Sequence, residues 1–447
     1  MKSSKYNLLV DDSETGRSIL FNTLYGSAVI VESQEKPIVT KLLEIPELTN
    51  SQNEIEILSL LETCRYLIKD DEDEISILRN RKVSGMNDIN RADIIIMPNM
   101  NCNFCCPYCY EKHDSKKRMS KETEVSIKKW LKCEIPRHKV VLISWFGGEP
   151  LLSKDNVMSI GEYALKVCRE NGVHLQTHMT TNGYAFTKPL IQDFVNIELL
   201  SYQITMDGTP EMHNKTRMHK GGKDSFERIF KNIILLCEAD KRVKVSLRVN
   251  FNHTNIDSIP ELLALFPAKV RQQLRVVYEP IFGDKTLSAV HNLPKNEISQ
   301  KITQYYELAN SMGYDVVHGG LGVGKLEYCY AEREHQYLIN YNADVYKCSV
   351  SEFISQDRVG HINGGGELVR DQKAWDRWFD MELFEKKCEQ CVYLPICMGG
   401  CRSNRIKNTE TGDCCSLVPT NTSLALKAVA FGGFRELLSN RFKTSRV

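Results

Sequence analysis

Several features are missing from the sequence, and each absence excludes a class of protein. It has no run of about 18 or more apolar residues, so no transmembrane helix is expected. The opening residues Met-Lys-Ser-Ser-Lys-Tyr-Asn lack the apolar core of a signal peptide. Excess charge of one sign is also absent, since 58 Lys and Arg balance 57 Asp and Glu and leave a net charge of +1. We therefore expect a cytoplasmic protein that binds neither nucleic acid nor a membrane.

Cysteine, in contrast, is abundant. The chain has 447 residues, enough for two or three domains, and contains 16 cysteines. A reducing compartment disfavours disulfides, so metal binding is the better interpretation of this number. Four cysteines lie within residues 102–109 and eight lie between residues 329 and 415. The other four are predicted to be buried small hydrophobic residues: Cys64, Cys133, Cys168 and Cys237.

The first cysteine group has the spacing C-x3-C-x2-C, formed by Cys102, Cys106 and Cys109. Three thiolates this close in sequence converge only if the backbone curls into a loop, and they suit a soft metal centre with one coordination position left open. Tyr108 stands where a planar cofactor ring could lean on it. Cys105 is off the spacing and is interpreted as a bystander.

This spacing resembles the signature C-x3-C-x-aromatic-C of the radical S-adenosylmethionine (SAM) superfamily. There it holds a [4Fe–4S] cluster whose open iron binds the amino and carboxylate groups of SAM. The alternatives are a zinc knuckle and a chance cluster. The resemblance implies that one electron, from a donor such as flavodoxin or ferredoxin, cleaves SAM to methionine and a 5′-deoxyadenosyl radical, which abstracts a hydrogen atom. Because the radical is generated on the cofactor, no catalytic side chain is predicted.

Between residues 93 and 315, short apolar strands alternate with amphipathic helices. This alternation predicts an α/β fold with a parallel sheet, here a partial (β/α)6 TIM-like barrel. Chemistry in such barrels lies at the carboxyl ends of the strands. The predicted strands are Ile94–Met97, Val140–Phe146, His174–Thr180, Leu200–Met206, Val243–Phe251 and Arg275–Ile281.

The second predicted strand ends in Gly147-Gly148-Glu149-Pro150. The two glycines allow the backbone to approach a ligand closely, and the Glu149 carboxylate can meet a cation. All four positions match the Gly-Gly-Glu-Pro motif of the radical SAM family. The resemblance implies that these residues contact the ammonium group of SAM.

The next two strands end in polar residues as well. Thr181 and Asn182 could hold a ribose or the methionine moiety. Asp207 and Arg217 belong to a run that resembles the Asp-Gly … His … Arg segment of peptide-modifying radical SAM enzymes, in which the arginine contacts the SAM carboxylate. The alternative for Asp207 is a turn-forming residue at the strand end.

The second cysteine group lies on a glycine-containing, loop-rich segment whose C-x2-C and C-x3-C spacings point to metal. Zinc is one interpretation, although seven ligands fit two closed four-ligand zinc sites poorly. The spacing resembles the SPASM extension of radical SAM enzymes, which holds two auxiliary iron–sulfur clusters, expected to be [4Fe–4S]. Ala343 occupies a position where that pattern has glycine. The resemblance implies the following ligands: Cys329, Cys348 and Cys401 for the first cluster, and Cys388, Cys391, Cys397 and either Cys414 or Cys415 for the second.

The first ninety residues predict three short strands followed by two helices. Such a unit resembles the winged-helix-like leader-peptide recognition element of peptide-modifying enzymes, in which the leader adds a strand to a sheet edge. The alternative is a structural cap. The predicted domains are therefore a recognition module at 1–92, a radical SAM barrel at 93–315 and a SPASM domain at 316–447.

Together these resemblances predict a radical SAM/SPASM peptide maturase of the sactisynthase or ranthipeptide type, an oxidoreductase. Its substrate would be a ribosomally synthesised precursor peptide, and its product an intramolecular crosslink, with a thioether favoured over a carbon–carbon bond. One alternative is an anaerobic sulfatase-maturing enzyme that forms formylglycine. In that family an aspartate follows the second SPASM cysteine, whereas this chain has Ser349. The other alternative is a non-catalytic zinc-binding interaction protein.

Overall fold

The computed structural model describes residues 1–11, 16–281, 295–316, 329–379 and 382–407, without the side chains of residues 295–299 and 303. Cys414 and Cys415, one of which was predicted to bind a cluster, lie outside the described residues. Among the helices that these ranges contain, none has the length and apolar character needed to cross a membrane.

The N-terminal part is a small antiparallel sheet followed by helices. The middle strand of this sheet, β3, is buried along its whole length and pairs with β2 on one side and β4 on the other. Its elements are β1 (Lys2–Ser3), β2 (Asn7–Asp11), β3 (Ser18–Asn22), β4 (Ala28–Val31), α1 (Lys36–Glu44), α2 (Gln52–Thr63), β5 (Leu67–Ile68) and α3 (Glu74–Met86). The three predicted strands and the two predicted helices are confirmed. Helix α3 was not predicted, although Asp73 caps it by accepting hydrogen bonds from the backbone of Ile75 and Ser76.

The central part contains the predicted alternation of strands and helices. Its elements are β6 (Arg91–Ile96), β7 (Asn99–Met100), β8 (Asp114–Arg118), α4 (Lys121–Glu134), β9 (Val140–Trp145), α5 (Lys154–Asn171), β10 (His174–Thr181), α6 (Lys188–Asn196), β11 (Ser201–Thr205), α7 (Pro210–Thr216), α8 (Phe226–Ala239), β12 (Lys244–Phe251), α9 (Ile259–Leu265), α10 (Ala268–Arg271), β13 (Leu274–Pro280) and α11 (Lys295–Ser311). All six predicted strands are present, and they pair in parallel in the order β13-β12-β11-β10-β9-β6.

The C-terminal part continues the same sheet. Its elements are β14 (Gln336–Ile339), β15 (Asp344–Tyr346), β16 (Gly360–Ile362), β17 (Leu368–Arg370), α12 (Gln372–Asp376), α13 (Lys386–Glu389), α14 (Leu394–Cys397) and α15 (Arg402–Lys407). Strand β14 pairs in parallel with β6, and β15 to β17 follow it in antiparallel pairs. The boundary predicted at residue 315 therefore separates two sequence patterns but not two sheets.

Apolar residues explain why these elements pack together. The strand β9 alternates half-buried and buried positions, and Val141, Ile143 and Trp145 are buried. Burying side chains of this size contributes about 1.5–3 kcal/mol each relative to exposure. Of the scattered cysteines, Cys168 and Cys237 are buried as predicted, but Cys133 is exposed, because it lies on the solvent face of α4.

A buried ion pair joins the N-terminal helix α3 to the C-terminal part. The Lys82 ammonium lies 2.8 Å from Glu332 Oε1 and donates to the carbonyl of Met398 at 2.8 Å. The side chains of Lys82 and Glu332 are 0% and 1% exposed. Arg402, also buried, lies 3.9 Å from the same carboxylate oxygen. Three segments that are far apart in sequence therefore share one buried charge cluster.

Removing the ammonium group from this cluster should destabilise the protein. We expect Lys82→Met to lower the free energy of unfolding by about 3 kcal/mol, because Glu332 then stays buried with Arg402 as its remaining cationic neighbour. Urea unfolding measures the change. Lys215→Met is the control, since it breaks the exposed pair with Glu211 and should leave the midpoint unchanged. Equal midpoints for the two variants would contradict this account of the cluster.

Candidate active site

A cavity of about 500 Å³ opens at the carboxyl ends of the parallel strands. Most of the residues predicted to bind a cluster or cofactor in the barrel line it: Cys102, Cys106, Tyr108, Cys109, Gly147, Gly148, Thr181, Asn182 and Arg217. Glu149, Pro150 and Asp207 lie behind its wall. The sequence-predicted residues from four strand ends therefore come together in one place.

The cysteine loop lies between β7 and β8 and is held from two sides. The backbone N–H of Cys109 donates to the carbonyl of Cys106 at 3.1 Å, which closes the turn between these two thiols. Phe104 forms an isolated β-bridge with His219. Cys105 donates through its backbone to the carbonyl of Met218 at 2.9 Å and does not line the cavity. Its interpretation as a bystander agrees with this position.

The donor set of the loop fits a metal cluster. Burial raises the pKa of the Cys102 thiol to about 12, so a free thiolate here is unfavourable without a cation. A coordinating metal removes that cost, since it deprotonates the thiol outright. The backbone N–H of Phe104 already donates to Cys102 Sγ at 3.4 Å, and Asn182 lies 4.0 Å from the same sulfur. Donors aimed at a sulfur are typical of iron–sulfur sites.

The Gly147-Gly148 turn is pressed against the cysteine loop. Both residues have positive φ, +79° and +45°. A Cβ on Gly148 would lie 2.2 Å from the backbone oxygen of Asn101, and one on Gly147 would lie 2.4 Å from the side chain of Met97. Only glycine fits either position, which leaves the main chain of the turn on the cavity wall.

Glu149, which the resemblance assigns to the ammonium group of SAM, is part of a buried hydrogen-bond network. Its carboxylate is fully buried and accepts hydrogen bonds from the backbone of Leu151 at 2.9 Å, from Thr181 Oγ1 at 2.6 Å and from the backbone of Asn182 at 2.7 Å. These three donors connect the ends of β9 and β10 through the carboxylate, and the hydroxyl of Thr181 takes part in the same network. The contact of Glu149 with the ammonium group of SAM stays a prediction.

Two arginines line the cavity, Arg217 and Arg248, and Arg217 is the one that is hydrogen-bonded to Tyr108. Its Nη1 donates to the hydroxyl of Tyr108 at 3.1 Å, and its guanidinium carbon lies 5.6 Å from the ring centre of Phe104. The side chain is buried, and its Nε has no hydrogen-bond partner among the described residues. A buried donor without a partner is costly, so this position fits an anionic group of a ligand.

Asp207 acts from behind Tyr108. It accepts hydrogen bonds from the Tyr108 hydroxyl, from Thr216 Oγ1 at 3.1 Å and from the backbone of Asn250 at 3.1 Å. Burial raises the pKa of Asp207, and the nearby charge of Arg217 opposes that shift. Asp207 therefore holds the Tyr108 hydroxyl in place, and its predicted contact with the cofactor stays a prediction.

His213, which the sequence placed in the family segment without a role, positions Arg217. Its Nδ1 accepts from the backbone of Asp207 at 3.3 Å, and its Nε2 lies 3.1 Å from Ser225 Oγ. The Ser225 hydroxyl donates to the carbonyl of Arg217 at 2.7 Å. Burial keeps the pKa of His213 well below its usual value, so the ring is neutral.

Glu111 and His113 line the cavity and were missed by the sequence analysis. Glu111 accepts a hydrogen bond from the backbone of Gly148 at 2.6 Å, and burial raises its pKa to about 7. His113 Nε2 lies 3.7 Å from Cys109 Sγ. Their place directly after the third cysteine was the one available signal, because a loop that carries a cluster also presents its next few residues to the same cavity.

In the second cysteine group, several of the described thiols lie close enough to affect the pKa of one another, and their division between two clusters stays a prediction. Burial raises the pKa of Cys329 to about 12, and the neighbouring thiols of Cys348 and Cys401 raise it further. Cys391 acts in the same way on Cys388. Ala343 adopts φ +68°, the conformation for which glycine is usual, so the turn between β14 and β15 keeps its shape without glycine.

Spacing between the sulfurs bears on the zinc alternative. Tetrahedral zinc with Zn–S bonds of about 2.3 Å holds its sulfurs about 3.8 Å apart. Within the part of the chain that the structure describes, no three cysteine sulfurs lie within 4.8 Å of one another. No three described thiols are therefore arranged in advance for one tetrahedral zinc ion.

Comparisons with known proteins agree with the geometry. Residues 96–266 match the profile of the Radical SAM superfamily. The cysteine-type anaerobic sulfatase-maturating enzyme of Clostridium novyi is 23% identical over 70% of this chain and 88% of its own length. The fold is similar to anSMEcpe with bound AdoMet, with a TM-score of 0.57 and 17% identity over 79% of this chain and 99% of that one. It is also similar to SuiB of Streptococcus suis bound to S-adenosylmethionine, with a TM-score of 0.51 and 17% identity over 91% of this chain and 97% of that one.

Residues 96–266 therefore match a radical SAM domain, and the chain has the fold of these two solved structures. A [4Fe–4S] cluster and SAM are the cofactors that this domain implies. The three cysteines and the partnerless Nε of Arg217 fit these two groups.

The tight contact between Gly148 and the backbone of Asn101 predicts the effect of adding one methyl group at Gly148. Gly148→Ala should lower SAM cleavage by about 100-fold, because its Cβ would displace the backbone of Asn101 and with it the cysteine loop. Formation of 5′-deoxyadenosine by anaerobically reconstituted protein with dithionite measures the loss.

Gly172→Ala is the matched control. Gly172 also has positive φ, +65°, but a Cβ there would have no neighbour within 4 Å. The control should keep the wild-type rate. Wild-type activity in Gly148→Ala would mean that the contact with Asn101 does not shape the site.

Proposed function

We propose that this protein is a radical SAM enzyme that crosslinks a ribosomally synthesised precursor peptide. One observation carries the proposal: a single cavity at the strand ends combines the three thiols of the C-x3-C-x2-C loop with Arg217, whose buried Nε has no partner among the described residues. The first feature suits a cluster and the second suits the carboxylate of an amino acid such as the methionine part of SAM.

Each wall of the cavity has a separate task in this proposal. Cys102, Cys106 and Cys109 hold the cluster, and the main chain of Gly147 and Gly148 together with Arg217 holds SAM. When bound, the cluster and SAM supply the abstraction of a hydrogen atom from an unactivated C–H bond. The protein orients the peptide and keeps water from the reacting carbon.

The second cysteine group holds two auxiliary iron–sulfur clusters in this proposal. Cys329, Cys348 and Cys401 provide three ligands for the first, which leaves one position open for a substrate thiolate, a water or a side chain. The thiols of Cys348 and Cys401 both raise the pKa of Cys329, which supports the assignment of these three cysteines to one cluster. The second cluster takes Cys388, Cys391 and Cys397 together with Cys414 or Cys415.

The N-terminal sheet is the proposed docking place of the leader peptide. Its strands β2 and β4 are both edges, so a peptide can add to the sheet by backbone hydrogen bonds. The N-terminal part also contacts the cysteine-rich part, since Thr23 Oγ1, directly after β3, donates to the carbonyl of Val392 at 2.6 Å, and Arg79 of helix α3 pairs with Glu389. A structure with the same fold contains SuiB bound to its precursor peptide SuiA.

A second candidate function is the maturation of a sulfatase. The sequence similarity to the Clostridium novyi enzyme and to the serine-type enzyme of Bacteroides thetaiotaomicron favours it. Against it stands Ser349, where that family has aspartate. Its hydroxyl lies 2.6 Å from that of Tyr330, which also accepts from the backbone of Ser349 at 2.9 Å, so the residue has a local structural role.

The assignment of Arg217 predicts a change in SAM binding. Arg217→Gln should raise the KM for SAM by about 10- to 100-fold, because a hydrogen bond from a charged donor contributes about 1.5–3 kcal/mol. Iron per chain should stay at the wild-type value, since Arg217 is no cluster ligand. Arg242→Gln, at an exposed position, is the control. An unchanged KM would remove Arg217 from the SAM site.

The two candidate functions give different products. We expect a cysteine-containing precursor peptide encoded beside this gene to lose the mass of two hydrogen atoms, as an intramolecular crosslink requires, while 5′-deoxyadenosine accumulates. Mass spectrometry with fragmentation then locates the bond.

The peptide Cp18Cys, which is bound in one anSMEcpe structure, serves as the second probe. Loss of sulfur from its cysteine, with the precursor unchanged, would contradict the crosslinking proposal and support sulfatase maturation. Absence of SAM cleavage with both peptides would contradict both functions.

A further inference from the structure

A second group of potential metal ligands lies at the opposite end of the sheet from the cavity. Glu134 ends α4, His138 stands shortly before β9, and His335 stands directly before β14. The cavity adjoins the carboxyl ends of the parallel strands, whereas these residues adjoin the amino ends of β9 and β14. All three are at most 9% exposed.

Their ligand atoms converge. His138 Nε2 lies 3.1 Å and His335 Nδ1 lies 3.9 Å from Glu134 Oε1, and the three atoms are mutually within 4.8 Å. Bonds of about 2.0–2.2 Å from one metal ion to nitrogen and oxygen ligands place those ligands about 3–3.5 Å apart. The observed spacing needs only a small adjustment of His335. Among the described residues, no other three His, Cys, Asp or Glu side chains bring their ligand atoms within 4.8 Å of one another.

The hydrogen bond on the far side of His138 determines which ring nitrogen carries a proton. His138 Nδ1 lies 2.7 Å from the carbonyl oxygen of Ile89, which can only accept, so Nδ1 carries a hydrogen. In the neutral ring, Nε2 then presents its lone pair to the carboxylate oxygen of Glu134. Two lone pairs 3.1 Å apart repel, so a cation between them is required, either a proton or a metal ion.

His335 favours the metal ion. A proton could bridge only His138 Nε2 and the Glu134 carboxylate. The ring of His335 would then lie beside the positively charged imidazolium of His138, at a ring-centre distance of 4.9 Å. A metal ion uses the lone pairs of both rings. We propose that Glu134, His138 and His335 bind a divalent transition metal of the zinc class, as a structural site separate from the iron–sulfur chemistry.

The surroundings are those of a metal site. A carbonyl that fixes the second nitrogen of a ligating histidine, as Ile89 does here, is the usual outer contact of such a residue. Tyr337 donates to Glu134 Oε1 at 2.8 Å and Arg137 donates to Oε2 at 2.8 Å, so the carboxylate is oriented from two sides.

The position suggests what the metal does. Glu134 lies at the carboxyl end of α4, where the helix dipole also favours a cation. His335 leads into β14, the strand that connects the barrel sheet to the strands of the cysteine-rich part. A bound metal would fasten this connecting strand to the barrel and stabilise the folded state by mass action.

Zinc content and zinc ligation test the proposal on reconstituted holoenzyme. The protein is incubated with zinc sulfate under anaerobic conditions, passed over a chelating resin and analysed by inductively coupled plasma mass spectrometry. X-ray absorption at the zinc edge then distinguishes nitrogen and oxygen ligands at about 2.0–2.1 Å from sulfur at about 2.3 Å. We expect zinc with a nitrogen and oxygen shell, lost at least tenfold in His335→Gln and in Glu134→Gln.

Glu134→Gln keeps the shape and the hydrogen bond from Tyr337, so a loss of zinc there does not reflect unfolding. His253→Gln, at an exposed histidine, is the matched control and should retain zinc. Iron content of the same samples reports whether the variants are folded. No retained zinc in the wild type, a sulfur shell, or equal zinc in wild type and His335→Gln would each overturn the proposal, and the pair of Glu134 and His138 would then be a salt bridge alone.

Discussion

The candidate active site depends on one buried carboxylate. Glu149 has no contact with solvent, and three donors from the ends of β9 and β10 satisfy it. Burial of a charged group is expensive, and hydrogen bonds to a charged group contribute about 1.5–3 kcal/mol each, so the arrangement is stable only when all three are made. The backbone of Glu149 also donates to the carbonyl of Asn101 at 2.7 Å. The residue thus fixes two strand ends and the start of the cysteine loop at once, and the positions of Gly148 and Asn182 follow from it.

A second buried charge cluster connects the parts of the chain that the sequence presents as separate domains. Lys82 comes from the N-terminal helix α3, Glu332 follows Cys329 by three residues, and Arg402 follows Cys401 directly. Two of the three proposed ligands of the first auxiliary cluster therefore lie beside residues that hold the N-terminal part in place. A peptide docked on the N-terminal sheet would be attached to the same framework that positions this cluster. The continuous sheet through β14 has the same consequence for the barrel.

The sequence predicted the elements of the barrel better than the roles of individual side chains. The alternation of strands with helices and the spacing of the cysteines can both be recognised in short stretches of sequence. All six strands and the convergence of Cys102, Cys106 and Cys109 could therefore be predicted. Glu149 was assigned to a ligand from its motif, and the three donors that its carboxylate accepts from could not be predicted, because only folding brings them together. Glu111 and His113 were missed because nothing in their own spacing distinguishes them from surface loop residues. Helix α3 escaped notice because its buried face carries the charged residues Glu74 and Lys82 beside Leu78 and Met86, so the sequence shows no apolar stripe.

The histidine pair shows the same limit at the other end of the sheet. Glu134 and His138 are four residues apart and could be recognised as neighbours across a helix end. His335, however, lies about two hundred residues later and arrives only because β14 pairs with β6, a strand far from it in sequence. The two ends of the parallel sheet thus gather different chemistry by one mechanism. At the carboxyl ends, loops bring thiols, glycine backbone and Arg217 around an open cavity. At the amino ends, short connections bring imidazoles and a carboxylate into a closed, buried group, which suits a structural ion and leaves the reaction to the opposite end.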